Sequence, residues 1–137
     1  MSTLYTAKVA VEGGRNGIAR SADGRLETRL AFPVALGGTG EGTNPEQLFG
    51  AGYAACFAST LEVVAKADGL KLPQVSVDAE VDIVQTDGDM DLAVRLSVRA
   101  QGVAKATLES LIAKAENACP YARAVRHNVK TIIAVLT

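Results

Sequence analysis

The chain has 137 residues, 48% of them apolar and 21% charged, with a formal net charge of −1. Length and composition fit one globular domain over residues 1–137, large enough to bury a core without disulfide or metal staples. No long basic run appears, aromatic residues make up 4% and tryptophan is absent, which excludes nucleic acid as a partner.

The first 36 residues read as short strands. "LYTAKVAV" alternates around Leu4, Thr6, Lys8 and Ala10, with a β-branched tail at Val9 and Val11. "GGRNG" (13–17) is a turn that carries Arg15, and "ADG" (22–24) is a second turn between "IARS" and "RLETRLAF". "LGGTGEGTNP" (36–45) is a glycine-rich loop. It lacks the lysine and the preceding buried strand of a phosphate-binding loop, so it reads as a flexible connector. Asn44-Pro45-Glu46 is a helix start, with an N-cap, a proline at the first helical position and a carboxylate in the first turn. The helix runs to about Asp68-Gly69. Its first half, "QLFGAGYAACFAS", is apolar or small on every side, which predicts burial all round. A helix of this length spans about 36 Å, more than one subunit of this size can wrap, and so points to an oligomer.

A hairpin follows. Val75, Val77, Ala79, Val81 and Ile83 alternate on one strand, and Leu92, Val94, Leu96, Val98 and Ala100 on the other, joined at Asp87-Gly88. This register sets Val81 opposite Val94 on the apolar face, and Glu80 opposite Arg95 and Asp78 opposite Ser97 on the wet face. A second helix covers about 104–118, with Leu108, Leu111, Ile112 and Ala115 as its stripe and Cys119 one step beyond. "VKTIIAVLT" closes the sheet. Strands, helix, hairpin, helix and strand in this order predict an α+β fold. The longest apolar run, 48–58, has 11 residues, against the ~20 that span a bilayer, and the N-terminus lacks a signal-peptide pattern. The expectation is a cytoplasmic protein with no membrane partner.

The chain has two cysteines and one histidine, too few for the four ligands of a zinc site. Cys56, in mid-helix, reads either as a small buried hydrophobe or as a reactive thiol. A free thiol ionises near pH 8.5. Cys56 lies 12 residues past the N-cap, beyond the helix dipole, so an arginine or lysine must supply the charge if it is reactive. Cys119 reads as the end of an apolar stripe, as half of a pair, or as a remnant of the redox motif Cys-Pro-Tyr-Cys. The last reading fails at Ala122 and because no first β-strand precedes the segment. His127, in the polar stretch "RAVRHNVK", reads as a surface residue. Ser59 lacks the Gly-x-Ser-x-Gly setting of a serine hydrolase. Singly, Arg15 and Glu46 are a turn arginine and a helix-start carboxylate.

Together these segments are distinctive. "GTNPEQLFGAGYAACF" (42–57), followed by "CPYARAVRHNV" (119–129), resembles the organic hydroperoxide resistance (Ohr) proteins of the OsmC/Ohr family over nearly the whole chain, including "GGRNG" and "DGRLETRL". "GYAACF" and "CPY" resemble the Ohr branch more than OsmC, which usually has histidine near the position of Tyr53. Two departures stand out: "RHN" (126–128) where the family often has Arg-Gly-Asn, and Asn16 for the usual aspartate after the arginine.

The resemblance implies an intertwined homodimer with long central helices wrapped by antiparallel sheets. It implies a thiol peroxidase that reduces organic (alkyl or lipid) hydroperoxides to alcohols. Cys56 matches the peroxidatic and Cys119 the resolving cysteine, Arg15 the thiolate-activating arginine, and Glu46 the carboxylate that orients it. The implied reductant is an external dithiol such as dihydrolipoamide on a lipoylated protein, with no bound cofactor or metal. Leu48, Phe49, Tyr53 and Phe57, with Leu36 and Pro33 further out, are candidates for an apolar substrate pocket. Alternatives are an OsmC-type peroxidase, a non-enzymatic member that binds an apolar ligand, or a peroxide sensor. One geometric expectation follows. Glu46 and Cys56 are ten residues apart on one helix, a rise of about 15 Å. Two antiparallel helices crossing near residue 51, with Gly50-Ala51-Gly52 allowing close approach, would set Glu46 and Arg15 of one chain beside Cys56 of the other. The rival reading of these glycines is a bend in the helix.

Overall fold

A computed structural model describes residues 1–136. The chain divides into two compact units, one ending at Leu48 and one beginning at Phe49.

The first unit is a three-stranded antiparallel sheet, β1 (Val9–Glu12), β2 (Ile18–Ser21) and β3 (Glu27–Arg29). A 3-10 turn at Gly14–Asn16 joins β1 to β2. Gly17 is required there, because a Cβ would lie 1.5 Å from the Glu12 carbonyl oxygen. The predicted strand from Leu4 starts only at Val9. Pairing of β1 with β2 begins at Val9 and Ser21, and beyond one further hydrogen bond, from the Ala22 N–H to the Lys8 carbonyl, the turn after Ser21 leaves the preceding residues no partner strand among the described residues. The glycine-rich segment is not the free connector its composition suggests. Gly38 and Gly40 donate to the Pro33 and Phe32 carbonyls, and Thr43 exchanges hydrogen bonds with Arg29 and Ala31. A Cβ on Gly38 would come within 2.1 Å of the Phe32 carbonyl oxygen, so this glycine is set by close backbone approach.

Helix α1 (Pro45–Ala67) begins as predicted. The Gln47 N–H donates to Asn44 Oδ1 at 2.9 Å. At the other end Gly69, at φ 72°, turns the chain while Leu70 N–H reaches the Ala65 carbonyl, the left-handed stop that glycine favours. The helix is unbroken, and by length and composition it could cross a bilayer. The 11-residue apolar run counted from the sequence understates it. However, only one stripe is buried in the single chain: Gly50, Tyr53, Phe57, Leu61 and Ala65, the i, i+3, i+4 spacing of a core-facing side. Ala51, Ala55, Ser59 and Val63 stay exposed, so the expected all-round burial does not occur within one chain.

From Phe49 onward, β4 (Val75–Thr86) and β5 (Asp89–Ala100) form a long hairpin, with Asp87 and Gly88 both at positive φ. The register is the predicted one, with Val81 opposite Val94, Glu80 opposite Arg95 and Asp78 opposite Ser97. Arg95 bridges Glu80 and Asp82 on the polar face. Helix α2 (Lys105–Ala118) and the short helix α3 (Pro120–Val125) carry the chain to β6 (Lys130–Val135). β6 pairs parallel to β5, so this sheet is mixed rather than antiparallel. The helical crossover returns the chain to the starting end of β5, where only a parallel partner can form. The core joins the α1 stripe to Val94, Leu96 and Val98 of β5 and to Leu108, Leu111, Ile112 and Ala115 of α2.

His127, in the turn between α3 and β6, has φ 65° and is exposed. Left-handed backbone costs a side-chain-bearing residue about 1–2 kcal/mol, part of which glycine returns as unfolded-state entropy. Replacing His127 by Gly is expected to raise unfolding free energy by about 0.5–1 kcal/mol in urea titrations, and His127→Val to lower it.

Candidate active site

The predicted site residues are divided between the two units. In the second, Cys56 lies on α1 beside the core residue Phe57, and Cys119 is the junction between α2 and α3. Their sulfurs are 3.6 Å apart, and both thiols are free. Cys119 is wholly buried as the continuation of the α2 stripe, whereas Cys56 is half-buried. A disulfide needs about 2.05 Å between sulfurs, so closure takes an approach of about 1.5 Å. α2 stops at Cys119 because Pro120 follows and fits the first position of α3.

Burial pushes the Cys56 thiol up from its ordinary pKa, and the neighbouring Cys119 adds to this. Two dipoles oppose it, the Tyr121 backbone N–H and, more weakly, the Thr60 hydroxyl. Thr60 Oγ1 donates to the Cys56 carbonyl at 2.9 Å. Tyr121 and Thr60 were not singled out in the sequence. Thr60 stands one helical turn beyond Cys56, and Tyr121 belongs to the Cys-Pro-Tyr triplet, so both signals were present.

In the first unit, the Gly14–Asn16 turn presents Arg15 to Glu46. The pair is bidentate, Nη1 to Oε2 at 2.8 Å and Nη2 to Oε1 at 2.6 Å, the strong fork geometry of guanidinium and carboxylate. Arg15 also stacks over Phe32, its Cζ 5.9 Å from the ring centroid. The hydrogen bond from Arg15 holds the Glu46 carboxyl below its ordinary value, and Glu46 raises the Arg15 guanidinium in turn. Asn16 accepts from the Phe32 N–H at 3.3 Å through Oδ1, an acceptor role an aspartate could equally fill.

The pocket candidates separate. Phe57 has no exposed surface and serves as core packing, so it backs the site rather than lining an open pocket. Phe49 is half-buried and meets Tyr53 edge-on at 6.2 Å. Tyr53 is buried, and burial raises its phenol to about 12. Leu48 and Pro33 are half-buried and Leu36 is exposed. Gly50 and Gly52 pack within their own chain: a Cβ on Gly50 would meet Val81 and Ala79, and one on Gly52 would meet Tyr121. α1 continues unbroken through both of them. The small exposed residues are Ala51, Ala55 and Ser59. Among the described residues no three His, Cys, Asp or Glu side chains converge to hold a metal.

Residues 38–134 match the OsmC family of OsmC-like proteins. An organic hydroperoxide resistance protein of Xanthomonas axonopodis pv. citri is 46% identical over 134 residues, covering 96% of this chain and 94% of that protein. OhrA of Bacillus subtilis is 40% identical over 136 residues, 96% of each. The crystal structure of an organic hydroperoxide resistance protein from Legionella pneumophila superposes with a TM-score of 0.94 at 42% identity, covering 99% of this chain and 100% of that one. OhrB of Bacillus subtilis gives 0.89 at 38%, covering 98% and 100%. Fold and matches together define an α+β protein of the OsmC-like class. The chain belongs to the OsmC/Ohr family, on its organic hydroperoxide resistance branch.

The depressed Glu46 carboxyl has a consequence for stability. A group whose folded pKa is lowered stabilises above its unfolded value and loses that contribution as pH falls through the folded value. The stability difference between the protein and its Glu46→Gln variant is expected to be full above about pH 5 and to vanish as pH falls below the ordinary carboxylate range. Denaturant titrations from pH 7 to pH 2 check this.

Proposed function

We propose that the protein is a cysteine-based peroxidase that reduces organic hydroperoxides to alcohols. The observation that carries this reading is the 3.6 Å separation of two free sulfurs 63 residues apart in sequence, one half-exposed and the other buried. The greater exposure of Cys56 supports it as the sulfur that peroxide reaches first. The Cys56 thiolate attacks the terminal peroxide oxygen, the O–O bond breaks, and the alkoxide leaves and takes a proton to become the alcohol. Cys56 is then a sulfenic acid. The Cys119 sulfur attacks the Cys56 sulfur, the S–O bond breaks, and water leaves as the disulfide forms. Exchange with an external dithiol, of the dihydrolipoamide type on a lipoylated protein, returns both thiols and leaves that dithiol oxidised.

Burial raises the Cys56 thiol, so the thiolate needs a cation. Arg15, already oriented by Glu46, suits that role and can also donate to the leaving oxygen. Because α1 is unbroken from Pro45 to Ala67, the ten residues from Glu46 to Cys56 rise about 15 Å. This favours a homodimer in which Arg15 and Glu46 of one chain serve Cys56 of the other. The exposed side of α1, including Val63 at 67%, and the β1 valines Val9 and Val11 at 54% and 55% are apolar surface that a second copy would cover. Leu48, Phe49 and Leu36 would favour alkyl substrates over hydrogen peroxide, since each buried CH₂ contributes about 0.8 kcal/mol. Free thiols suit a reducing compartment such as the cytoplasm.

Treating the reduced protein with one equivalent of an organic hydroperoxide should remove two hydrogen atoms and yield a Cys56–Cys119 cross-linked peptide within one chain by mass spectrometry. Cys56→Ser should abolish turnover, and Arg15→Ala should slow it by about 10²–10³ while raising the pH needed for alkylation of Cys56. Recovery of two free thiols after peroxide, or of only inter-chain links, would sink the mechanism.

A further inference from the structure

One contact next to the cysteine pair has no role in the chemistry above. Gly52 lies one helical turn before Cys56, on the same side of α1. The phenol of Tyr121 is laid against it. A Cβ built on Gly52 would stand 2.9 Å from Tyr121 Oη, 3.2 Å from Cε2 and 3.3 Å from Cζ. The ring is held from a second side by Tyr53, at 6.1 Å between centroids, and Tyr53 itself is buried core. Tyr121 is two residues after Cys119, in the first turn of α3. The phenol of Tyr121 therefore rests on α1 one turn before Cys56, while its chain segment carries Cys119 to within 3.6 Å of the Cys56 sulfur.

We infer that Tyr121 is a positioning residue for disulfide closure: its ring, seated in the notch left by Gly52, docks the start of α3 on α1 and holds the Cys119 sulfur in reach of Cys56. Two observations bear on this apart from the sulfur distance. Alanine is the better helix former, yet a glycine stands in mid-helix where the three nearest atoms a Cβ would meet beyond its own helix backbone all belong to Tyr121. The side chain of Tyr121 is also 41% exposed, so packing into the core does not by itself account for where it lies. The notch gains its meaning for catalysis from the peroxidase reading, in which closure resolves the sulfenic acid, but the docking itself can be measured without peroxide.

The test is the equilibrium of the Cys56–Cys119 disulfide in a dithiothreitol redox buffer, in which the protein's dithiol is oxidised as oxidised dithiothreitol is reduced. Gly52→Ala is expected to lower the equilibrium constant for closure about tenfold, which is about 30 mV for this two-electron couple. Tyr121→Ala is expected to do the same. Tyr121→Phe keeps the ring and should close within about twofold of the unmodified protein. Because the nearest atom in the clash is Oη, Tyr121→Phe in the Gly52→Ala background should restore part of the loss, which a general destabilisation of the helix would not allow. Closure in Gly52→Ala and Tyr121→Ala at the unmodified level would overturn the inference, as would absence of the rescue. Failure of the unmodified protein to form the disulfide at all would overturn both this inference and the peroxidase reading. Normal closure without peroxide turnover would overturn only the latter.

Discussion

Burial of the Tyr53–Phe57–Leu61–Ala65 stripe is the constraint from which the rest of the second unit follows. These residues recur every four positions and meet Val94, Leu96 and Val98 of the hairpin and the apolar side of α2 in one core. Fully burying a phenylalanine or leucine contributes about 1.5–3 kcal/mol, so the rotation of α1 about its axis is strongly fixed. Cys56, adjacent to Phe57, is thereby set at the margin of the core, and Cys119, at the end of the α2 stripe, is set inside it. Their separation results from two helices each burying an apolar side. A buried junction that ends at proline and restarts as α3 adds the sharp change of direction that brings Cys119 onto α1.

Electrostatics divides along other lines. The apolar surroundings that place Cys56 also disfavour its thiolate, so packing and reactivity pull against each other within this unit. The cation proposed to offset this is built elsewhere in the chain, as a guanidinium locked by two short hydrogen bonds to Glu46. Arg15 is held by a glycine-bounded turn and Glu46 by a capped helix start, so both ends of the pair are fixed by local structure. Preorganisation of this kind lets a cation stabilise developing charge without first rearranging.

Much of this was legible beforehand. The hairpin register could be read because the apolar and polar alternations agreed and the Asp87-Gly88 turn left one pairing that satisfied both. The start of α1 could be read because Asn44, Pro45 and Glu46 each act within one turn. What misled were features whose meaning depends on distant neighbours. The glycines at 36–45 looked like slack, but close backbone approach and left-handed turns are also reasons for glycine. Leu4 to Lys8 alternated like a strand yet has no partner strand among the described residues, and alternation alone cannot supply one.

The sequence by itself determined the elements, the hairpin pairing and the set of chemically capable side chains, because caps, turns and periodicity are local and act through the nearest few residues. It also carried the two departures at Asn16 and His127, though not their consequences: the first keeps an acceptor for Phe32, while the second places a side chain on left-handed backbone. Only the tertiary structure decided that β6 runs parallel to β5, that a single chain buries one side of α1 and leaves the other open, and that residues 63 positions apart bring their sulfurs to 3.6 Å. Those outcomes depend on how helices and strands distant in the chain share one core, and that sharing is settled by packing, which no local pattern encodes.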